Sequence, residues 1–161
     1  MPYIKYKTVL NLILLFSIFS LLAAYFIQYV LKHQPCNLCL IERVPYIISI
    51  IVISISLLLK KFKKISLIIL SLIFFSAALI AFYHFSIEQG FIEESLVCNL
   101  NNESNDLSKK AILNQLKEMP VSCKDVTFKL FGLSLATFNI FVSLILGVIT
   151  MKLFLTYEKN K

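Results

Sequence analysis

Residues 65–87 have the sequence ISLIILSLIFFSAALIAFYHFSI, which contains no Asp, Glu, Lys or Arg over 23 positions. A helix of this length can cross the roughly 30 Å of hydrocarbon in a bilayer, since it rises about 1.5 Å per residue. Residues 8–31 and 130–151 form two further uncharged runs, of 24 and 22 positions. The sequence therefore predicts three membrane-spanning helices.

A fourth span is predicted from a shorter apolar run. Residues 44–59 are uncharged for only 16 positions, but residues 38–41 lengthen this run outward across Glu42 and Arg43. We expect those two charges to be solvated at the membrane interface. Lipid cannot hydrogen-bond the backbone, and the sequence has no ten-residue alternation typical of a membrane barrel. All four spans are therefore predicted to be helices.

These runs predict an all-α membrane protein, a four-transmembrane-helix bundle that forms one domain over residues 1–161. The predicted spans cover about 8–31, 40–59, 65–87 and 130–151, with a short loop at 32–43 and a long loop at 88–129. The first span starts like a signal peptide, but its apolar run is too long for one, so we expect it to be retained. In the long loop, residues 112–119 favour a short helix that ends before Pro120.

The density of cationic side chains predicts the orientation of the bundle. One side carries nine cations in about 22 residues and the other carries seven in about 54. The dense side comprises Lys5, Lys7, Lys60, Lys61, Lys63, Lys64, Lys152, Lys159 and Lys161. This side is expected to be cytoplasmic, together with both termini. The net charge of +7 is explained by these inner segments, and no basic groove with stacking aromatics indicates a nucleic-acid partner.

All four cysteines fall in the two loops predicted to be outside. Cys36 and Cys39 lie in the short loop, and Cys98 and Cys123 lie in the long one, where the compartment permits disulfides. Cys36 and Cys39 are one helical turn apart and can close a readily reduced disulfide. A relay between a soluble dithiol and a membrane acceptor needs two communicating pairs, because exchange proceeds through mixed disulfides. The cysteines thus indicate redox chemistry at the membrane surface.

Arg43 and His84 are candidates for binding an electron acceptor. Arg43 is four positions after Cys39, so on a helix it shares that residue's face, where a cation stabilises a thiolate or an anionic acceptor. The alternative is an interface arginine paired with Glu42. His84, near the end of the third span, could donate a hydrogen bond to the acceptor or simply bond a neighbour. Glu88 lies on the same helical face and could orient His84 or solvate the end of the span.

Several segments resemble the DsbB family of inner-membrane disulfide bond formation proteins. Residues 35–46, PCNLCLIERVPY, resemble the family signature, and residues 83–84 with 88–90 resemble the end of its third span. Residues 122–125 and 131–136, followed by Asn139, resemble its entry into the fourth span. The resemblance covers nearly the whole chain. One departure is the absence of Trp: family members commonly have one near the second outer loop, where this chain has Phe128.

The resemblance implies a quinone-dependent protein thiol-disulfide oxidoreductase of the bacterial inner membrane, with its cysteines in the periplasm. The implied partners are a periplasmic DsbA-like thiol oxidase, the membrane lipid and the quinone pool. The electron acceptor would be a quinone, either ubiquinone or menaquinone, bound near Arg43 and His84. No metal is expected.

The resemblance also implies roles for the four cysteines. Cys98 would be attacked by the reduced oxidase, which frees Cys123 to attack the Cys36–Cys39 pair. Cys36 would take the exchange with Cys123, and Cys39 would be left as the thiolate that faces the quinone. The residues themselves support an exchange between the cysteine pairs of the two loops better than they support this order of attack.

Other uses of four cysteines stay open at this point. A tetrahedral zinc site would favour a second C-x-x-C motif, whereas Cys98 and Cys123 are 25 positions apart. Covalent attachment of haem needs the motif C-x-x-C-H, but Leu40 follows Cys39. A non-enzymatic four-span scaffold stapled by two structural disulfides is the alternative from a different class, and it offers no role for Arg43. A quinone-linked relay resembling vitamin K epoxide reductase normally carries its C-x-x-C late in the chain, so the motif order favours the DsbB family.

Overall fold

The computed structural model of the protein describes residues 2–59, 63–93, 122–124, 129–130 and 132–159. Its helices are α1 over Pro2–Tyr29, α2 over Asn37–Ile41, α3 over Val44–Leu58, α4 over Lys63–Glu88 and α5 over Leu135–Lys159. Strands β1, Lys129–Leu130, and β2, Leu133–Ser134, form a short antiparallel pair around Gly132, whose φ is 82°. Cys98, Phe128 and the helix predicted over 112–119 lie outside the described residues.

Within the described residues, four segments are long and apolar enough to cross a membrane. They are Tyr6–Tyr29, Asn37–Leu58, Lys63–Glu88 and Leu135–Thr156. The second segment combines α2 and α3, which are joined by a turn at Glu42 and Arg43. Pro45 fits the first turn of α3 because an N–H at that position would have no helical partner. The prediction of an all-α bundle of four transmembrane helices is confirmed, and the small strand pair before α5 is an addition to it.

The outer surface of the bundle is apolar, as a lipid environment requires. Large side chains in all four spans point away from the protein, including Phe19 (69% exposed), Ile51 (53%), Leu72 (65%) and Phe141 (60%). Lipid tails are as apolar as leucine, so burying these side chains between helices would gain little. Helix association must therefore rest on close packing and on interhelical hydrogen bonds.

Small and hydroxyl side chains provide both kinds of contact. Ser17 of α1 and Ser49 of α3 place their hydroxyl oxygens 3.2 Å apart in the buried interior. Gly147 of α5 lets the ring of Phe75 on α4 approach, since a Cβ at this glycine would lie 3.3 Å from that ring. Around these contacts lies a buried core of Tyr6, Leu10, Ile13, Tyr46, Ile53, Leu67, Leu70, Phe74 and Leu146.

The two ends of the bundle carry different side chains. At one end, Lys63 Nζ lies 5.9 Å from the centre of the Tyr6 ring, and the Tyr6 hydroxyl is 2.6 Å from Ser56 Oγ. From there α4 runs for 26 residues to the other end. At that other end, which we call the cysteine end, α2 and the end of α4 meet the 122–124 segment in a second buried cluster of Cys36, Leu38, Ile87 and Cys123.

Candidate functional site

Two thiols lie side by side where α2 begins. Cys36 is the N-cap residue of α2, and its sulfur accepts a hydrogen bond from the backbone N–H of Cys39 at 3.3 Å. The two Sγ atoms are 2.9 Å apart, within hydrogen-bonding distance for sulfur. Cys36 is buried, at 5% exposure, and Cys39 is half-buried. The helical turn that separates the two residues in sequence therefore brings their sulfurs together, as the C-x-x-C spacing predicted.

The pKa of the Cys36 thiol is raised above its ordinary value. The main cause is the hydrogen bond with Cys39, followed by burial, while the contact with His84 lowers the pKa and partly offsets both. Burial acts in this direction because a thiolate loses hydration when it leaves water. In the reduced pair these contacts favour the protonated thiol of Cys36.

His84 brings an imidazole ring to this pair from α4. Its Nε2 lies 3.5 Å from Cys36 Sγ, and its Nδ1 lies 2.6 Å from Oε1 of Glu42. An ionised carboxylate can only accept, so Nδ1 donates to Glu42 and Nε2 is left directed at the sulfur. His84 is 3% exposed. Thiol, imidazole and carboxylate therefore form a buried chain of three groups.

Glu42 corrects one expectation from the sequence. We expected its charge to be solvated at the membrane interface, but the residue is only 8% exposed. Its Oε2 accepts a hydrogen bond from Asn139 Nδ2 at 2.7 Å, and Asn139 Oδ1 in turn accepts from the Tyr46 hydroxyl at 2.6 Å. The turn between α2 and α3 directs Glu42 into the bundle, where these donors compensate for the loss of water.

Arg43, the next residue in the same turn, points toward α1. Its Nη1 donates a hydrogen bond to Gln28 Oε1 at 2.6 Å, and its guanidinium lies 5.1 Å from the centre of the Tyr25 ring. Among the described residues Arg43 bonds Gln28 while Glu42 bonds His84 and Asn139, so the structure does not show the alternative of an arginine paired with Glu42. Arg43 still lines the cavity beside the thiols.

Glu88 provides a second carboxylate on the opposite side of the His84 ring. Its Oε1 lies 3.7 Å from His84 Nε2, one helical turn away on α4. The side chain is 6% exposed, and among the described residues Oε2 has no hydrogen-bond partner. Glu42, rather than Glu88, holds the ring through Nδ1, so Glu88 is a buried carboxylate with one oxygen still available to a ligand.

A cavity of 410 Å³ joins these groups at the cysteine end. Its polar lining includes Cys36, Cys39, Glu42, Arg43, His84, Glu88, Asn139 and Cys123. The remainder is mainly apolar and includes Phe16, Phe19, Ala23, Ala24, Ile27, Leu135, Phe138 and Val142. A mostly apolar pocket with a few converging polar groups is the usual form of a small-molecule site, and this volume lies within the usual range.

Comparison with known proteins now assigns the chain to a family. The sequence model described as "Disulfide bond formation protein DsbB" matches residues 6–153. The chain belongs to the DsbB family. A relative in Rickettsia prowazekii (strain Madrid E), described as "Uncharacterized protein RP370", is 32% identical over 159 residues, which are 97% of this chain and 91% of the relative. No solved structure matches the chain.

Membership of the DsbB family gives the general activity. The DsbB family acts in disulfide-bond formation at the inner membrane, and this protein is an oxidoreductase of that kind. Its four apolar helices make it a multi-pass membrane protein.

The DsbB fold brings most of the predicted site residues to one place. Of the six residues predicted from sequence, the five within the described structure all line the cavity: Cys36, Cys39, Arg43, His84 and Cys123. Cys123 is 3% exposed and packs in the same buried cluster as Cys36. The sixth, Cys98, lies outside the described residues.

Sequence reasoning missed three side chains of this DsbB-family site. Glu42 was placed at the interface, Asn139 entered only through the family resemblance, and Gln28 was not considered. A polar side chain inside an apolar span is a signal that could have found them, because such side chains bond one another or line a cavity. Gln28 and Asn139 are isolated amides in such spans, but the sequence does not show which partner each one meets.

Proposed function

We propose that this DsbB-family protein reoxidises a periplasmic DsbA-like thiol oxidase and passes the electrons through two cysteine pairs to a membrane quinone. One observation carries the proposal: Cys123, from the second pair, lines the same cavity as Cys36, Cys39, Arg43 and His84. A thiol from each pair and two candidate acceptor-binding side chains are thus within one site. A relay needs this arrangement, whereas two separate structural disulfides do not.

The exchange steps balance without any further oxidant. The partner's thiolate breaks a Cys98–Cys123 disulfide and forms a mixed disulfide with Cys98, which releases Cys123 as a thiolate. Cys123 then attacks Cys36 and releases Cys39. The partner's second thiol displaces Cys98 and leaves the partner oxidised, and Cys98 re-forms its bond with Cys123 and returns Cys36 as a thiol. The Cys36–Cys39 dithiol now holds the two electrons and two protons taken from the partner.

The cavity fits a quinone head group in its chemistry. Its walls are largely apolar, and Arg43 and His84 provide a cation and a hydrogen-bonding ring. When bound, a quinone would accept two electrons and two protons as the Cys36–Cys39 disulfide re-forms. Within the protein, His84 Nε2 is placed to take the proton that Cys36 retains, and Glu42 holds the ring for this step. Arg43 places a permanent positive charge where negative charge develops.

The cysteine end is proposed to face the periplasm, with both termini in the cytoplasm. Lys63 and Lys64 lie at the opposite end of the bundle, where their ammonium groups contact the rings of Tyr6 and Phe154. Lysine-rich short loops are retained in the cytoplasm. The same orientation gives the thiols access to an oxidising compartment.

Purified protein in detergent, mixed with a reduced DsbA-like oxidase and either ubiquinone or menaquinone, tests the proposal. We expect quinone reduction in step with oxidation of the partner, at one quinone per disulfide, and we expect Cys39→Ser to abolish it. A non-enzymatic scaffold with two structural disulfides would reduce no quinone at all. That result, with correctly inserted protein and active partner, would overturn the proposed function.

A further inference from the structure

Cysteine, histidine and glutamate side chains at the cysteine end have the chemistry of a zinc site. Ligand atoms of Cys36, Cys39 and His84 all lie within 4.8 Å of one another. Glu88 Oε1 is 3.7 Å from the same imidazole nitrogen that faces the sulfurs. Thiolate, imidazole and carboxylate are the groups that bind Zn²⁺ in proteins, and four of them complete a tetrahedron.

We propose that the reduced form of this protein binds one Zn²⁺ ion through Cys36, Cys39, His84 and Glu88, and that the oxidised form does not. The proposal goes beyond quinone-linked electron transfer, and binding itself does not depend on that activity. It differs from the zinc site considered from the sequence, because Cys98 and Cys123 contribute no ligand.

The separations from His84 Nε2 to Cys36 and to Glu88 are close to those of a tetrahedral centre. Glu88 lies outside the group of ligand atoms within 4.8 Å of one another, so its carboxylate would have to move toward the sulfurs. With metal–ligand bonds of about 2.3 Å to sulfur and about 2.0–2.1 Å to nitrogen or oxygen, a tetrahedron separates sulfur from nitrogen by about 3.6 Å and nitrogen from oxygen by about 3.4 Å. The Cys36–His84 and His84–Glu88 separations are 3.5 and 3.7 Å. The two sulfurs, 2.9 Å apart, would need to open to about 3.8 Å. Cys39 is half-buried and at the cavity wall, where its side chain can make that movement.

The surroundings of His84 match the outer shell of a zinc ligand. A metal-binding histidine almost always donates its other ring N–H to a carboxylate or carbonyl, which fixes the tautomer and the ring orientation. Glu42 accepts that hydrogen bond from Nδ1 at 2.6 Å and is itself held by Asn139 at 2.7 Å. The ring is therefore already fixed with Nε2 toward the two sulfurs.

Glu88 provides an independent indication of a cation site. A buried carboxylate oxygen without a hydrogen-bond partner is uncommon and costs free energy. Within the part of the chain that the structure describes, Oε2 of Glu88 has no such partner, and the side chain is only 6% exposed on the wall of the cavity. A bound cation would compensate this charge and, with two thiolates, would leave the site with a net charge of about −1.

Binding would be controlled by the oxidation state of the pair. Zn²⁺ requires thiolates, so two protons leave Cys36 and Cys39 when the metal enters, and no electrons are transferred. A Cys36–Cys39 disulfide has no thiolate to offer. Conversely, sulfurs held on zinc cannot close a disulfide until the metal departs. If the proposed quinone activity holds, zinc would therefore inhibit turnover at the reduced stage; the ion is an inhibitor in this scheme and not a resident cofactor.

The test is metal binding by the full-length protein in detergent, with Zn²⁺ alone as the probe and Co²⁺ as a spectroscopic substitute. Protein reduced and desalted under anaerobic conditions should retain one Zn²⁺ per chain, and oxidised protein should retain none. A Cys98→Ser/Cys123→Ser double variant should still bind one ion. Co²⁺ should show sulfur-to-metal charge transfer that disappears in Cys36→Ser. Binding that is equal in both oxidation states, or that survives in Cys36→Ser, would overturn the proposal.

Conservative variants distinguish Glu88, a proposed ligand, from Glu42, which holds the ligand His84 in place. Glu88→Gln should weaken Zn²⁺ binding at least about tenfold, and Glu42→Gln should weaken it about ten- to a hundred-fold through loss of the outer-shell hydrogen bond. Glu93→Gln is the matched control, since Glu93 is an exposed carboxylate five positions after Glu88, and it should leave binding unchanged. Failure of quinone reduction in wild-type protein would not affect these measurements. Unchanged binding in Glu88→Gln would overturn the four-ligand assignment.

Discussion

Glu42 Oε1 lies 2.6 Å from His84 Nδ1, although the two residues are 42 positions apart in the chain. The same carboxylate binds Asn139, 97 positions away, so one side chain links the turn between α2 and α3 to both α4 and α5. On the other side of the His84 ring, Nε2 is directed at the sulfur of Cys36. Glu42 is therefore a positioning residue for His84, and the first prediction concerns it.

Glu42→Gln should lower kcat for quinone reduction by about ten- to a hundred-fold. The amide is nearly the same shape but neutral, so the charge-assisted hydrogen bond that holds His84, worth about 1.5–3 kcal/mol, is lost. The measurement is steady-state quinone reduction with reduced partner. The KM for the partner should not change, since the partner meets the second loop. Glu93→Gln serves as the control, and equal effects of the two variants would contradict a positioning role for Glu42.

Asn139→Ala should destabilise the bundle. Asn139 connects Glu42 to the Tyr46 hydroxyl. Its removal takes a donor from Glu42 Oε2, at about 1–3 kcal/mol, and an acceptor from Tyr46, which keeps Ser143 Oγ at 3.5 Å. The free energy of unfolding in mixed detergent micelles measures the loss. Phe141→Ala is the comparison, because that ring is 60% exposed on the outer surface of the same helix. A larger loss of stability for Phe141→Ala would mean that lipid-facing packing, and not this network, holds α5.

Arg43→Ala or Arg43→His should weaken quinone use by about ten- to a hundred-fold, since a charge-assisted contact of about 1.5–3 kcal/mol is lost. The loss should raise the KM for quinone if Arg43 binds the acceptor, or lower kcat if it acts on the developing charge. Gln28→Ala is the matched control: it removes the hydrogen bond to Arg43 but keeps the cation, so its effect should be smaller. Unchanged kcat and KM in a normally inserted Arg43 variant would leave it an interface residue.

Cys123→Ser should trap a mixed disulfide between Cys98 and the oxidase. The trap uses Cys98 activated as a mixed disulfide with a small thiol, which leaves when the partner thiolate attacks Cys98. It also uses a partner variant that lacks its second active-site cysteine, so that neither this thiol nor Cys123 can displace the partner from Cys98. Non-reducing electrophoresis of the protein with its partner detects the adduct, and reductant should release it. Turnover at the wild-type rate would show that Cys123 has no part in the relay. A stapled scaffold would instead lose stability and trap nothing.

The proposed orientation can be tested with reporter fusions. Fusions after Lys63 and after Lys161 should report the cytoplasm, and fusions within residues 101–106 should report the periplasm, because the lysine-dense segments are retained inside. A carboxyl terminus found outside would be incompatible with four spans and a cytoplasmic amino terminus.

The amino-acid sequence by itself determined the class of fold and the position of the reactive thiols. Span length is a local property, so the uncharged run at 65–87 predicts a crossing helix without knowledge of its neighbours. The adjacency of Cys36 and Cys39 is also local, because one helical turn separates them and the structure places their sulfurs 2.9 Å apart. Nothing beyond residue spacing was needed for either conclusion.

Only the tertiary structure decided which groups surround those thiols. A charged residue at the end of a span can turn outward to water or inward to a partner, and these choices differ by a small rotation of the turn that carries it. In this protein Glu42 turns inward because His84 and Asn139 offer donors from two other helices, while Arg43 turns toward Gln28 on α1. Such contacts depend on how four helices pair and rotate, and no pattern along a single helix specifies that.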